Sequence, residues 1–159
     1  MKSSLFGGFS FGLTSGIITT LGLIVGLHSG THSKLTIVGG ILIIAVADAF
    51  SDALGMHLSI ESERKHKQKY IWEATFSTFF AKFIFALTFI IPILLISSLT
   101  KAIIVSVIWG LLLLAVLSAY IAKREKISIS KSIFEHVLIA LAVIVITHYL
   151  GDLIRLAFV

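Results

Sequence analysis

Apolar residues fill five long stretches of this chain, almost without interruption: Leu5–Leu27, Leu35–Leu58, Ile71–Ile96, Ala102–Ala122 and Ile133–Ala157. A helix needs about 20 apolar residues to cross the hydrocarbon core of a bilayer, and each stretch meets that length. Short polar joints separate them at His28–Lys34, Ser59–Tyr70, Ser97–Lys101 and Lys123–Ser132. Joints this short force neighbouring spans to run antiparallel. The pattern predicts an all-α integral membrane protein, a five-transmembrane-helix bundle forming one domain over residues 1–159. No Pro/Gly/Ser-rich linker divides it. Met1–Gly30 lacks a separate short apolar core and a small-residue cleavage site, so it reads as a retained helix.

Composition sharpens the picture. Only 13% of the 159 residues are charged and 57% are hydrophobic, where a soluble domain carries about 25% charged residues. Mean hydropathy is +1.06. The formal net charge of +5 would suggest nucleic acid in a soluble protein. Here the basic residues sit at span ends, so lipid phosphates are the expected partners and nucleic acid is not. There is no cysteine, hence no disulfide and no thiolate metal site.

Lys and Arg also predict orientation. The joint after the second span holds Arg64, Lys65, Lys67 and Lys69, and the joint after the fourth holds Lys123, Arg124, Lys126 and Lys131. The other two joints hold only Lys34 and Lys101. Basic joints stay in the cytoplasm, which predicts a cytoplasmic N-terminus and an outside C-terminus. An odd number of spans requires the same split.

Four charged residues lie inside the second and third spans: Asp48, Asp52, Glu73 and Lys82. Each costs roughly 2.5–3.5 kcal/mol to place in hydrocarbon, so such residues face a water-filled path, an opposite charge or a bound ion. Asp48, Asp52 and Met56 recur every fourth residue and stack on one helix face. His57, Glu61, Glu63 and His66 follow toward the basic joint. Carboxylate, imidazole and thioether together suit borderline divalent metals such as Fe(II) or Mn(II), whereas carboxylates alone suit protons or Mg(II). The plain alternative is a pair of structural aspartates hydrogen-bonded within the bundle.

Lys82 reaches almost the depth of Asp48 and is expected to pair with it, either as a permanent ion pair or as a lysine that competes with a transported cation. Asp52 has no such depth-matched lysine, and Glu73 is near enough to the interface to be solvated. In the last span, His148, Asp152 and Arg155 form a polar cluster that reads as a surface salt bridge or as an outer ion mouth. Glu135 and His136 read as interfacial.

The first span carries two glycine registers, Gly8/Gly12/Gly16 and Gly22/Gly26/Gly30. Each lines one helix face and permits close backbone approach, either to a neighbour in the same protomer or across a dimer seam. Ser10, Thr14, Ser15 and Thr19 on the same helix offer hydroxyl oxygens to a path. No phosphate loop and no nucleophile motif is present, so neither an ATP-driven pump nor an enzyme is expected.

Two segments carry a resemblance: Ser10-Phe11-Gly12-Leu13-Thr14 with Val25-Gly26-Leu27, and the run from Ser51 through Asp52, Gly55, Met56 and His57 to Glu61-Ser62-Glu63. With Ala74-Thr75-Phe76 and Ile91-Pro92 they resemble the vacuolar iron transporter family. The resemblance implies a homodimer with a cation path between protomers, lined by spans one and two, and efflux of ferrous iron or a similar metal in exchange for protons. On the residues themselves, Asp48 and Asp52 are expected as intramembrane metal ligands, Met56 and His57 as ligands on the cytoplasmic side, and Glu61 and Glu63 as collectors at the mouth. No cofactor is expected, since the metal is substrate. The location expected is the plasma membrane of a prokaryote.

The chain departs from the family pattern at named places. Phe11 stands where the family has Asp, Asp52 where Met is usual, and Asp48 where Gly is usual. The acidic position of the family's second span falls near Ile44. The cytoplasmic metal-binding insertion between spans two and three is absent. A carrier of another small solute and a non-transporting membrane scaffold are the competing readings.

Overall fold

The computed structural model describes residues 3–158. It contains helices α1 (Ser3–Thr31), α2 (Lys34–Ser62), α3 (Gln68–Thr88), α4 (Ile90–Leu95), α5 (Leu99–Glu125) and α6 (Ile129–Phe158). Among the described residues there is no strand. Five helical segments are long and apolar enough to cross a membrane, the third made of α3 and α4 together. The chain is a multi-pass membrane protein, and its outward apolar side chains meet lipid.

The helix boundaries follow local chemistry. Ser33 caps α2 by accepting the Thr36 N–H at 3.2 Å. Three non-glycine residues take a left-handed backbone where helices stop or turn: His32, Arg64 and Lys126. Lys126 closes α5 in this way, with its N–H on the Ala122 carbonyl. α2 runs one turn further than the hydrophobic pattern predicts, ending at Ser62, so Glu61 is helical.

The third span is not continuous. Pro92 has no N–H to give the Thr88 carbonyl, and the helix breaks at Phe89, whose N–H bonds Ala86 instead. The loosened turn is tied to α5, where Trp109 Nε1 donates to Thr88 Oγ1 at 3.1 Å. Lys34 Nζ, at the start of α2, donates to the Leu94 carbonyl at 3.3 Å.

α1 is the central helix, packed against α3, α6, α2 and α5. Its glycines explain how. A methyl at Gly8 would overlap the Ala74 carbonyl, and one at Gly12 the Thr78 carbonyl, both on α3. Gly22, Gly26 and Gly30 approach Val143, Thr147 and Gly151 on α6. From Gly16 to Gly22 the helix turns through about 240°, so the two registers look in different directions. Both are used inside one protomer. Of the two readings of these glycines, close packing within the protomer is the one seen: α3 and α6 fill the space beside them. α6 lies outermost, with Leu150, Leu153, Ile154 and Leu156 exposed. The core is Ile17, Leu21, Ile24, Ile37, Ile41, Phe89, Ile93 and Leu114, where α1, α2, α4 and α5 meet.

Candidate ion site

Asp48 and Asp52 lie one helical turn apart on α2, about 6 Å along the axis. The side chain of Lys82 crosses from α3 between them. Its Nζ is 2.5 Å from Asp48 Oδ2 and 2.5 Å from Asp52 Oδ2. It also donates to Ser15 Oγ on α1 at 2.9 Å. The hydrogen bonds are directed at Ser15 and Asp52. Asp48 Oδ2 is buried with no directed hydrogen bond, and proximity to the ammonium alone holds it. The lysine side chain is 1% exposed, Asp48 27% and Asp52 20%.

Lys82 thus joins both aspartates, not Asp48 alone, and the expectation that Asp52 lacks a lysine is corrected. A four-carbon stem places one ammonium between two carboxylates that are a single turn apart. Counting formal charges, two carboxylates and one ammonium leave the cluster one negative charge in excess.

Local packing lets the lysine enter. A Cβ at residue 16 would stand 3.2 Å from Lys82 Cγ and 3.3 Å from its Cα, so Gly16 leaves room for the stem. Beside the cluster, an open groove of about 550 Å³ runs between α1 and α2, with Asp48, Ser51, Thr19 and Ile44 among its walls. The carboxylate excess therefore borders an opening on the outer face of the protomer.

The other candidates divide between two faces. Met56 continues the aspartate stripe and is half-buried. His57 is rotated by about 140° from Asp52. Its Nδ1 lies 3.0 Å from Thr75 Oγ1 and its ring packs edge-on to Trp72 on α3. Glu61 is exposed and follows the His57 side of the helix. Glu63 caps α2, 3.6 Å from His66 Nε2. Among the described residues, no three His, Asp or Glu side chains of one protomer converge to hold a metal ion. The six residues expected as ligands are not gathered within a single chain: helical rotation turns His57 and Glu61 away from the aspartates, and Glu63 lies beyond the helix.

Elsewhere the polar residues are absorbed by packing. Glu73 is half-buried rather than merely solvated, accepting from Ser4 Oγ at 2.6 Å. His136 Nδ1 is 2.7 Å from Ser118 Oγ, joining α5 to α6, and Glu135 faces Lys131 at 3.9 Å. The predicted cluster at the end of α6 forms: Asp152 lies 3.5 Å from His148 Nε2 and 3.4 Å from Arg155. His148 Nδ1 meets Ser29 Oγ of α1 at 2.5 Å. Two basic side chains flank this single carboxylate, which favours the salt-bridge reading over an outer mouth.

Ser15 was visible in sequence only as one of several hydroxyls. What distinguishes it is its place beside Gly16, where the Lys82 side chain of α3 enters and its ammonium reaches the hydroxyl. Thr75, the partner of His57, stood out in sequence only as part of the Ala74-Thr75-Phe76 segment.

Comparison with known families adds one finding. Residues 8–71 match the VIT family. The match covers less than half of the 159-residue chain. The match takes in nearly all of α1, all of α2 and the start of α3, and so includes Ser15, Asp48 and Asp52 but stops short of Lys82. The matched family suggests metal-ion transport across a membrane. No curated protein matches the chain. At the VIT position expected to be acidic in α1, Phe11 presents an exposed phenyl ring.

Proposed function

We propose that this protein exports a divalent metal cation of the iron or manganese type from the cytoplasm, in exchange for protons, through a path between two copies lined by α1 and α2. The observation that carries this reading is the Asp48–Asp52 pair, which has one more carboxylate than cations and borders an open groove on the protomer's face. A carboxylate at mid-membrane does not face hydrocarbon. A second copy presenting the same groove about a two-fold axis closes it and brings four carboxylates to one level.

Carboxylates coordinate a metal only when deprotonated, so loading and release exchange cation for proton at the same oxygens. Met56, one turn along the stripe, extends the ligand set. His57, Glu61 and Glu63 gather cations nearer the basic end, which positive-inside charge places in the cytoplasm. The two α2 carboxylates take the place of the acidic residue that Phe11 replaces in α1.

The test is flux of Fe(II), Mn(II), Mg(II) and Zn(II) into reconstituted vesicles, with and without a pH gradient. Asp52→Asn should abolish metal-dependent proton movement and leave a folded protein, because Lys82 and Asp48 still form a neutral pair. Wild-type flux in that variant would end the assignment. Disulfide trapping checks the path: single cysteines at exposed Ala47 or Ser51 should link two copies, and one at buried Gly12 should not.

A non-transporting scaffold is the second reading. It is favoured by Lys82, whose contacts already satisfy much of the cluster. A scaffold should bind no metal at the aspartates.

A further inference from the structure

We propose that Lys82 is a tethered counter-ion of the ion site, holding the Asp48 and Asp52 carboxylates when no metal is present and yielding them when one arrives. This rests on reading the aspartate pair as the metal site, and it adds how that site releases its cargo.

Three observations carry it. First, the ammonium occupies the very oxygens a metal would take, at 2.5 Å from one oxygen of each aspartate. A divalent ion and an ammonium on the same oxygens repel each other, and the protein interior screens that poorly. Second, the ammonium has somewhere to go. Ser15 Oγ, a neutral acceptor on a different helix, holds it at 2.9 Å and keeps it bonded when the carboxylates are taken. Third, the stem is seated rather than loose: it is buried against Gly16, where any side chain would crowd Cγ and Cα. The stem stays fixed while the terminal carbons swing.

The consequence is kinetic. A transport site must bind its ion well enough to load and weakly enough to unload. Two bare carboxylates would match a divalent charge fully and hold it. A lysine competing for the same oxygens lowers affinity and supplies a replacement charge at the moment of release, so the empty site never stands as an uncompensated pair.

A permanent structural ion pair has the same resting geometry, and the experiment separates the two. Wild type, Lys82→Met, Lys82→Arg and Ser15→Ala are purified, and Mn(II) affinity, melting temperature in chelator and in Mn(II), and vesicle flux are measured. Lys82→Met should melt lower in chelator and be stabilised by Mn(II) far more than wild type, since the divalent ion replaces the missing charge. It should bind Mn(II) about tenfold or more tighter, the scale of close charge coupling, with both KM and maximal flux reduced. Ser15→Ala should move the opposite way. An ammonium deprived of its neutral acceptor leans harder on the carboxylates, and Mn(II) binds more weakly. Lys82→Arg should keep affinity nearer wild type than Lys82→Met does.

Equal Mn(II) affinity and equal Mn(II) stabilisation in wild type and Lys82→Met would overturn the proposal and leave the metal-site reading intact. So would a Lys82→Met protein that fails to fold even with Mn(II) present. Failure of wild type itself to bind or move any divalent cation would overturn the metal-site reading, and this proposal with it.

Discussion

α1 contributes a serine to two polar clusters built from similar parts. At Ser15 it meets Lys82 of α3 with Asp48 and Asp52; at Ser29 it meets His148 of α6 with Asp152 and Arg155. In both places glycines let the helices close: Gly12 and Gly16 against α3, Gly26 and Gly30 against α6. The charge balance differs. The inner cluster sets one ammonium against two carboxylates, while the outer one sets a histidine and an arginine against one. Exposure differs as well: Lys82 is 1% exposed, whereas Arg155 is 43% and Asp152 33%. The ion pairs are 2.5 Å long inside and 3.4 Å outside. The same residue types therefore do different work. Water screens the outer cluster, which fastens α1 to α6. The inner one, built around a buried Lys82 and one positive charge short, is the site proposed for a further cation.

The sharpest way to break this contrast is to remove the inner cation. Stripping one partner from a buried pair costs about 3–5 kcal/mol. Lys82→Met should lose stability on that scale in metal-free detergent, measured by chemical or thermal unfolding. Adding Asp52→Asn should return part of the loss by removing one of the two carboxylates left uncompensated. A double-mutant cycle with no coupling between the two positions would mean that the short distances carry no energy.

A smaller effect is expected where helix approach, not charge, is disturbed. Gly12→Ala would push a methyl into the Thr78 carbonyl, and backbone on both sides leaves little room to yield. Overpacking of this kind costs about 1–3 kcal/mol. Gly55 has nothing within 4 Å of its would-be Cβ, so Gly55→Ala should be neutral or stabilising by up to about 1 kcal/mol through helix propensity. Equal melting temperatures for the two alanine variants would mean that α1 and α3 are not held by their close contact.

The smallest effect belongs to the outer cluster. Exposed pairs contribute about 0–1 kcal/mol. Asp152→Asn should shift stability by no more than that, with the shift shrinking further in high salt. A loss approaching that of Lys82→Met would erase the distinction between the two regions.

Much of the fold was legible in the sequence because membranes impose a coarse rule. A span must be apolar for its full length, and the five stretches announced five crossings. The ends were less legible, because α2 continues to Ser62 through residues that are polar yet helical, and Pro92 marked a break whose position at Phe89 depends on hydrogen bonding. Within the site, the stacking of Asp48, Asp52 and Met56 followed from spacing alone. The orientation of His57 did not, since its distance along the chain from Asp52 says nothing of the Thr75 hydroxyl waiting on α3.

The sequence alone determined that the chain has five stretches fit to cross a membrane and that four charges lie within the second and third of them. It also determined that two carboxylates share one face of one helix. These are properties of a single helix in a known solvent, fixed by length, composition and the period of the helix. Only the tertiary structure decided that Lys82 serves both aspartates, that the glycine registers of α1 are spent on α3 and α6, and that the six residues expected as ligands part onto two faces. Those outcomes depend on the azimuth and depth at which separate helices dock. Docking is set by the whole packed surface, by glycine facing carbonyl and stem facing glycine, and no stretch of sequence records it alone.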